Sequence, residues 1–143
     1  MTTKGLSKSS ITKKGSLPRK KILRGRKNFQ RLFQKGVHIN RAQFVGIRYR
    51  FVNDASFGCQ MGFIVKKSLG KAHKRNAMKR LLREAYRLNQ QILTDSLQQV
   101  QQTLHGALVT YTVEADFNHV EQNVIELLQG IQKQLTAAQP KQS

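Results

Sequence analysis

The chain has 143 residues, enough for one domain with a real core and too few for two comfortable ones. Its 26 Lys and Arg against 7 Asp and Glu give a net charge of +19, which points to nucleic acid first and to an anionic membrane surface second. No apolar run approaches a membrane span or a secretory segment, and Cys59, being alone, excludes an internal disulfide or a multi-cysteine zinc site; a soluble, cytoplasmic protein with no small-molecule cofactor is expected.

Residues 1–27 carry 10 of the Lys and Arg and no acid. Such a composition cannot bury enough apolar surface to offset its ordering entropy, so it reads as a disordered basic arm, either contacting RNA or serving as an organellar transit peptide. In domain terms the arm proper is residues 1–18, the folded domain 19–136 and a frayed tail 137–143. Phe29, Leu32 and Phe33 then recur at helical spacing, predicting a short helix over 28–35 stopped by Gly36. Phe44–Phe51 alternates Val45, Ile47, Tyr49 and Phe51 against Gly46, Arg48 and Arg50, the period of a strand. A turn at Asn53–Ser56 and a second strand over Gly58–Val65 suggest a hairpin, with Gly62 marking a bulge or a close approach. Cys59 in this apolar run reads as a small core residue.

The stretch Lys66–Arg87 places 9 cations in 22 positions against the single acid Glu84. At 100° per residue, Arg75, Asn76, Lys79, Arg80, Arg83 and Arg87 fall within an arc of about 140°. Ala77, Met78, Leu81, Leu82, Ala85 and Leu88 take the opposite arc, with Tyr86 on the border. Like-charged i,i+4 pairs such as Lys79 and Arg83 each cost about 0.2–0.5 kcal/mol in an isolated helix. A solvated face would alternate signs, so this array asks for an anion. Upstream, Lys66, Lys67, Gly70 and Lys71 form a loop suited to phosphate, although the P-loop spacing is absent. Residues 89–105, Gln-rich with Ile92, Leu93, Leu97, Val100 and Leu104 at helical intervals, read as a further helix. Ala107–Val113 reads as a strand reached by a β-α-β crossover. Asn118 and Glu121 resemble a capping box for a last helix striped by Val120, Val124, Leu127, Leu128, Ile131 and Leu135. The sum is a small α+β sandwich.

Catalysis by the protein itself is not expected. Phosphodiester hydrolysis needs metal-binding carboxylates or a His-centred acid and base. Glu114 and Asp116 are close in sequence but gain no third partner, and a turn or capping role suits them better. His38, His73, His105 and His119 lack metal-ligand spacing.

Lys67, Gly70, Ala72, Arg75-Asn76, Lys79-Arg80 and Arg83-Glu84-Ala85 together resemble the signature of the protein subunit of bacterial ribonuclease P, the ribonucleoprotein that removes 5′ leaders from precursor tRNA. Asn28-Phe29-Gln30, Phe33, Gly36, Phe44 and Gly62 extend the likeness, which covers residues 18–88 well. The resemblance implies a two-layer α/β sandwich of the ribosomal S5 domain 2-like type, ordered α-β-β-β-α-β-α, with a left-handed crossover around the basic helix. It also implies an RNA subunit that carries the active site and its Mg2+, leaving the protein no catalytic or metal-binding residue. The ribonuclease P RNA would be met by Lys66, Lys67, Lys71, Lys74, Arg75, Asn76, Lys79, Arg80, Arg83 and Arg87. A cleft of Phe29, Phe33, Ile47, Ile64 and Lys67 would hold the leader of the precursor tRNA. Three positions depart from the pattern: Ala77 stands where the family commonly has a third Arg-Asn-Arg member, Lys67-Ser68 replaces a lysine pair, and Glu114 and Asp116 stand where basic residues are usual. The alternative is a structural RNA-binding protein such as a ribosomal component.

Overall fold

The computed structural model describes residues 16–138. A 3₁₀ turn (Arg19–Lys21) leads to α1 (Arg26–Arg31), β1 (His38–Arg41), β2 (Val45–Val52), β3 (Cys59–Val65) and a second 3₁₀ turn (Lys67–Leu69). The basic helix α2 (Ala72–Asn89), α3 (Gln91–Val100), β4 (Thr103–Thr110) and α4 (Phe117–Ala138) follow. This is the α+β sandwich expected from the sequence, with one four-stranded sheet in the order β1-β2-β4-β3.

The predicted hairpin between the second and third strands does not form. β4 lies between them, antiparallel to β2 and parallel to β3. Burial explains the choice: Thr103, Leu104 and every residue from Gly106 to Thr110 are buried, as befits a strand covered on both faces, whereas β2 carries Arg48 and Arg50. The connection after β2 crosses the end of β4. There the Thr103 hydroxyl donates to Asp54 O at 2.6 Å and accepts from Phe57 N at 2.9 Å, and Leu104 N donates to Gly58 O at 2.9 Å. The parallel β3–β4 pairing around α2 and α3 is the crossover the sequence predicted.

Alternation along β2 sorts the two faces. Val45, Ile47 and Tyr49 join Leu104 and Leu108 in the main core, under Met78, Leu82, Ala85 and Tyr86 of α2 and the apolar stripe of α4. Each fully buried Val, Ile, Leu or Met among them contributes about 1.5–3 kcal/mol of transfer free energy. α2 is turned slightly from the predicted wheel: Tyr86 is 1% exposed, while Leu88 is 49% exposed and Ala77 faces solvent. Cys59 is a buried core residue, and burial pushes its thiol up to about 12.

On the other face, Leu23, Leu32 and Ala107 form a smaller cluster with Phe29 and Ile64. The described part of the predicted arm is tied down, contrary to expectation. Ser16 O accepts from Gln90 Nε2 at 2.7 Å, Leu17 packs on the main core, and Ile22 bridges Met61. Leu23 N then donates to Met61 O at 3.1 Å, so this segment wraps the β3 edge before α1 crosses the open face. The arm before residue 16 and the tail after 138 lie outside the described residues.

Two boundaries also move. β4 starts at Thr103, so Leu104 belongs to a strand, and α3 ends at Val100 with Gln101 in the left-handed region at φ 56°. Asp116, not Asn118, caps α4: its Oδ1 accepts from His119 N at 3.0 Å. Glu121 instead accepts from Asn89 Nδ2 of α2 at 2.9 Å.

Candidate nucleic-acid interface

The helix α2 opens without a side-chain cap, at Lys71, directly after the 3₁₀ turn that carries Lys67. Its first backbone amides are therefore left for solvent or an anion, beside Lys66, Lys67 and Lys71, all exposed. Beyond the first turn, Asn76, Lys79, Arg80 and Arg83 are exposed on the face turned from the core. None of these lysines and arginines makes a salt bridge among the described residues.

Three of the ten predicted contacts have structural partners. Arg75 is half-buried and its Nε donates to Gly70 O at 3.0 Å, bracing the loop against the helix. Lys74 meets Glu114 at 3.1 Å. Arg87 meets Glu84 through two hydrogen bonds of 3.0 and 2.6 Å; these bonds hold the Glu84 carboxyl below its ordinary range and raise the Arg87 guanidinium. Among the described residues the cations of the predicted array thus divide into a group without an acidic partner, Lys66, Lys67, Lys71, Lys79, Arg80 and Arg83, and a braced group, Lys74, Arg75 and Arg87.

The predicted cleft is partly assembled. The Cε1–Cζ edge of the Phe29 ring lies against Gly62, where a Cβ would collide with it, so the strand glycine marks a close approach and not a bulge. Ile64 packs in the same cluster. Phe33, 51% exposed, stacks under the guanidinium of Arg48 at 4.4 Å, and Arg48 Nη1 donates to Leu32 O at 3.2 Å. Lys67 is exposed just past the end of β3, in the second 3₁₀ turn, and is not a member of this cluster. Ile47 does not belong to the cleft. It is 1% exposed in the main core with Val45 and Tyr49, because the period of two sends it to the opposite face from Arg48.

The sequence reading did not single out Arg41, Arg48 and Tyr111 as site residues. The Arg41 guanidinium lies 3.7 Å from the Tyr111 ring centroid, and the Tyr111 hydroxyl sits over Gly46. Register places Arg41 beside Gly46 and Ile39 beside Arg48, so these side chains share the face that α1 crosses. The signal was in β2 itself, where Gly46, Arg48 and Arg50 form the alternate set. Guanidinium planes on aromatic rings next to half-exposed Phe33 and Ile39 make a surface on which bases can stack. Among the described residues no three of His, Cys, Asp and Glu converge on a metal position. No helix among them is long and apolar enough to cross a membrane.

Comparison with known proteins bears on this surface. Residues 17–132 match the profile of the family described as Ribonuclease P. The ribonuclease P protein component of Chlamydia felis is 36% identical over 75 residues, 52% of this chain and 52% of the relative. That of Porphyromonas gingivalis is 41% identical over 68 residues, 47% of this chain and 50% of the relative. The aligned segments therefore span about half the length of these curated relatives. The Thermotoga maritima RNase P protein structure superposes with a TM-score of 0.61 at 23% identity, covering 76% of this chain and 96% of that one. The Staphylococcus aureus RNase P protein gives 0.60 at 17% identity, covering 78% and 94%. At these identities the structures establish the shared fold.

Proposed function

This chain belongs to the ribonuclease P protein family, and from that premise we propose that it is the protein cofactor of a ribonuclease P ribonucleoprotein in tRNA maturation. The lysine loop and the exposed face of α2 bind the catalytic RNA. The open sheet face at Phe29, Phe33, Arg48 and Ile64 binds the single-stranded 5′ leader of precursor tRNA. The reaction's Mg2+ ions sit on the RNA, and the protein contributes positive charge, stacking surface and position.

One observation carries this reading: a helix whose buried side completes the core and whose outer side holds Lys79, Arg80 and Arg83 without an acidic partner among the described residues. Such a face lowers the repulsion between two RNA strands by replacing condensed counterions. The expected gains are tighter binding of precursor than of mature tRNA and a lower magnesium requirement. Adding the purified chain to a catalytic ribonuclease P RNA at low magnesium tests this directly. Restored cleavage of precursor tRNA is expected; no stimulation, together with equal affinity for precursor and mature tRNA, overturns the proposal and favours a structural RNA-binding role.

A further inference from the structure

A second group of cations converges at the end of the sheet away from the lysine loop. Register fixes the two ends. Arg50 pairs with His105, which pairs with Gln60, whereas Val45, Thr110 and Val65 pair at the end that leads into Lys66. Five residue steps along the strand, from Val45 to Arg50, separate these positions, about 17 Å at about 3.3–3.4 Å per residue. Arg48 stands between them on the same face as Arg50, by the alternation of the strand.

At the far end, the segment leaving α1 curls beside β2. Arg31, Lys35, His38, Arg50 and Phe51 line an open hollow of about 360 Å³, in the size range of small-ligand sites. The turn into β1 is made at Gly36, whose φ of +90° places it in the left-handed region. Arg31 and Lys35 are exposed and Arg50 half-buried, and none of them makes a salt bridge among the described residues. His105, next to Arg50, has a buried Nδ1 without a hydrogen-bond partner among the described residues. Burial holds its imidazole below the usual range, with Arg50 and Arg31 pushing the same way and Asp54 pulling it back up. Three cations, from the end of α1, the connection that follows it and β2, repel each other around one hollow unless an anion joins them.

The geometry points to a phosphodiester-binding site in this hollow, formed by Arg31, Lys35 and Arg50, that takes a backbone phosphate of single-stranded RNA lying along the open sheet face. Guanidinium forks match phosphate oxygens, and Lys35 adds a point charge. The site deepens the leader-binding reading and rests on it. A strand stacked near Phe29 and Phe33 continues past Arg48 to reach Arg50, so the face is basic along its whole length and not only near α2.

The test uses the full chain with labelled oligouridylates long enough to cross the sheet, and reads affinity against salt. Replacing both Arg31→Gln and Arg50→Gln is expected to lower the log–log salt slope by about 1.4, at about 0.7 per single-strand phosphate contact. Arg50→Lys, which keeps the charge, is expected to retain most of the slope and guards against a folding artefact. By NMR, oligouridylate is expected to raise the titration midpoint of His105 in the natural chain and not in the double variant. Equal slopes in natural and double-variant chains overturn the site. Inorganic phosphate shifting His105 as fully as the oligomer, at matched phosphate concentration, overturns the RNA assignment in favour of a free-anion site. Stimulation of ribonuclease P RNA is scored separately: stimulation with equal slopes overturns this site alone, and the expected slopes with neither stimulation nor tighter binding of precursor than of mature tRNA overturn the cofactor proposal alone.

Discussion

Lys74 Nζ of α2 lies 3.1 Å from Glu114 Oε2, beyond the end of β4. The contact ties the start of the basic helix to the loop that leads into α4. With side chains 49% and 72% exposed, the pair is worth about 0–1 kcal/mol to the fold. Its larger consequence is electrostatic, since it masks one cation at the margin of the proposed RNA surface.

Glu114→Gln is therefore expected to leave thermal stability almost unchanged and to tighten binding to ribonuclease P RNA. The freed Lys74 adds up to one phosphate contact, steepening the salt slope by about 0.7–0.9. Filter binding over a salt series checks this; an unchanged slope means that Lys74 lies outside the interface.

Ala77 is exposed on α2, one residue from Asn76 and three from Arg80. Ala77→Arg meets no core side chain and is expected to steepen the salt slope of RNA binding by about 0.7–0.9, while Arg80→Ala flattens it by a similar amount. If Ala77→Arg weakens binding at every salt concentration, the RNA packs directly against the alanine.

The core was legible because its signals are local and periodic. Val45, Ile47 and Tyr49 alternate, Val120 through Leu135 repeat at helical spacing, and both sets are buried as the patterns require. The basic face of α2 was legible for the same reason. Strand pairing was not: β2 and β3 are neighbours in sequence, and only burial of β4 on both faces puts it between them. The cleft residues follow from the family resemblance, whereas the strand period sends Ile47 to the core side and Arg48 to the cleft face. The Lys74–Glu114, Arg75–Gly70 and Arg41–Tyr111 contacts depend on register and loop geometry, which composition does not encode.

Gly62 and Phe29 are in direct apposition, and Gly62→Ala would drive a methyl group into the ring. Expected destabilisation is about 1–3 kcal/mol, the usual cost of overpacking. Because the contact is pairwise, Gly62→Ala combined with Phe29→Leu is expected to cost less than the two changes summed, by about 0.5–3 kcal/mol. Urea unfolding of the four proteins measures the coupling; strict additivity would show that the glycine serves another neighbour.

His105 sets the expected pH dependence in the mildly acidic range. Its folded imidazole is held below the ordinary value by burial first, then by Arg50 and Arg31 against the opposing pull of Asp54. In the unfolded chain it titrates at about 6.5. Between these two points the unfolded state binds more protons than the folded one, so stability rises with pH. The contribution is complete above the unfolded value and is lost as pH falls through the folded one. Glu84 and Asp116, whose carboxyls are also held low, act in the same direction but further down, in the carboxylate range. Urea unfolding across a pH series is therefore expected to show a rising limb just below neutrality, and His105→Gln is expected to flatten it while leaving the acid limb in place. An unchanged rising limb in the variant would assign the protons to another group and remove His105 as a reporter of the charge on Arg31 and Arg50.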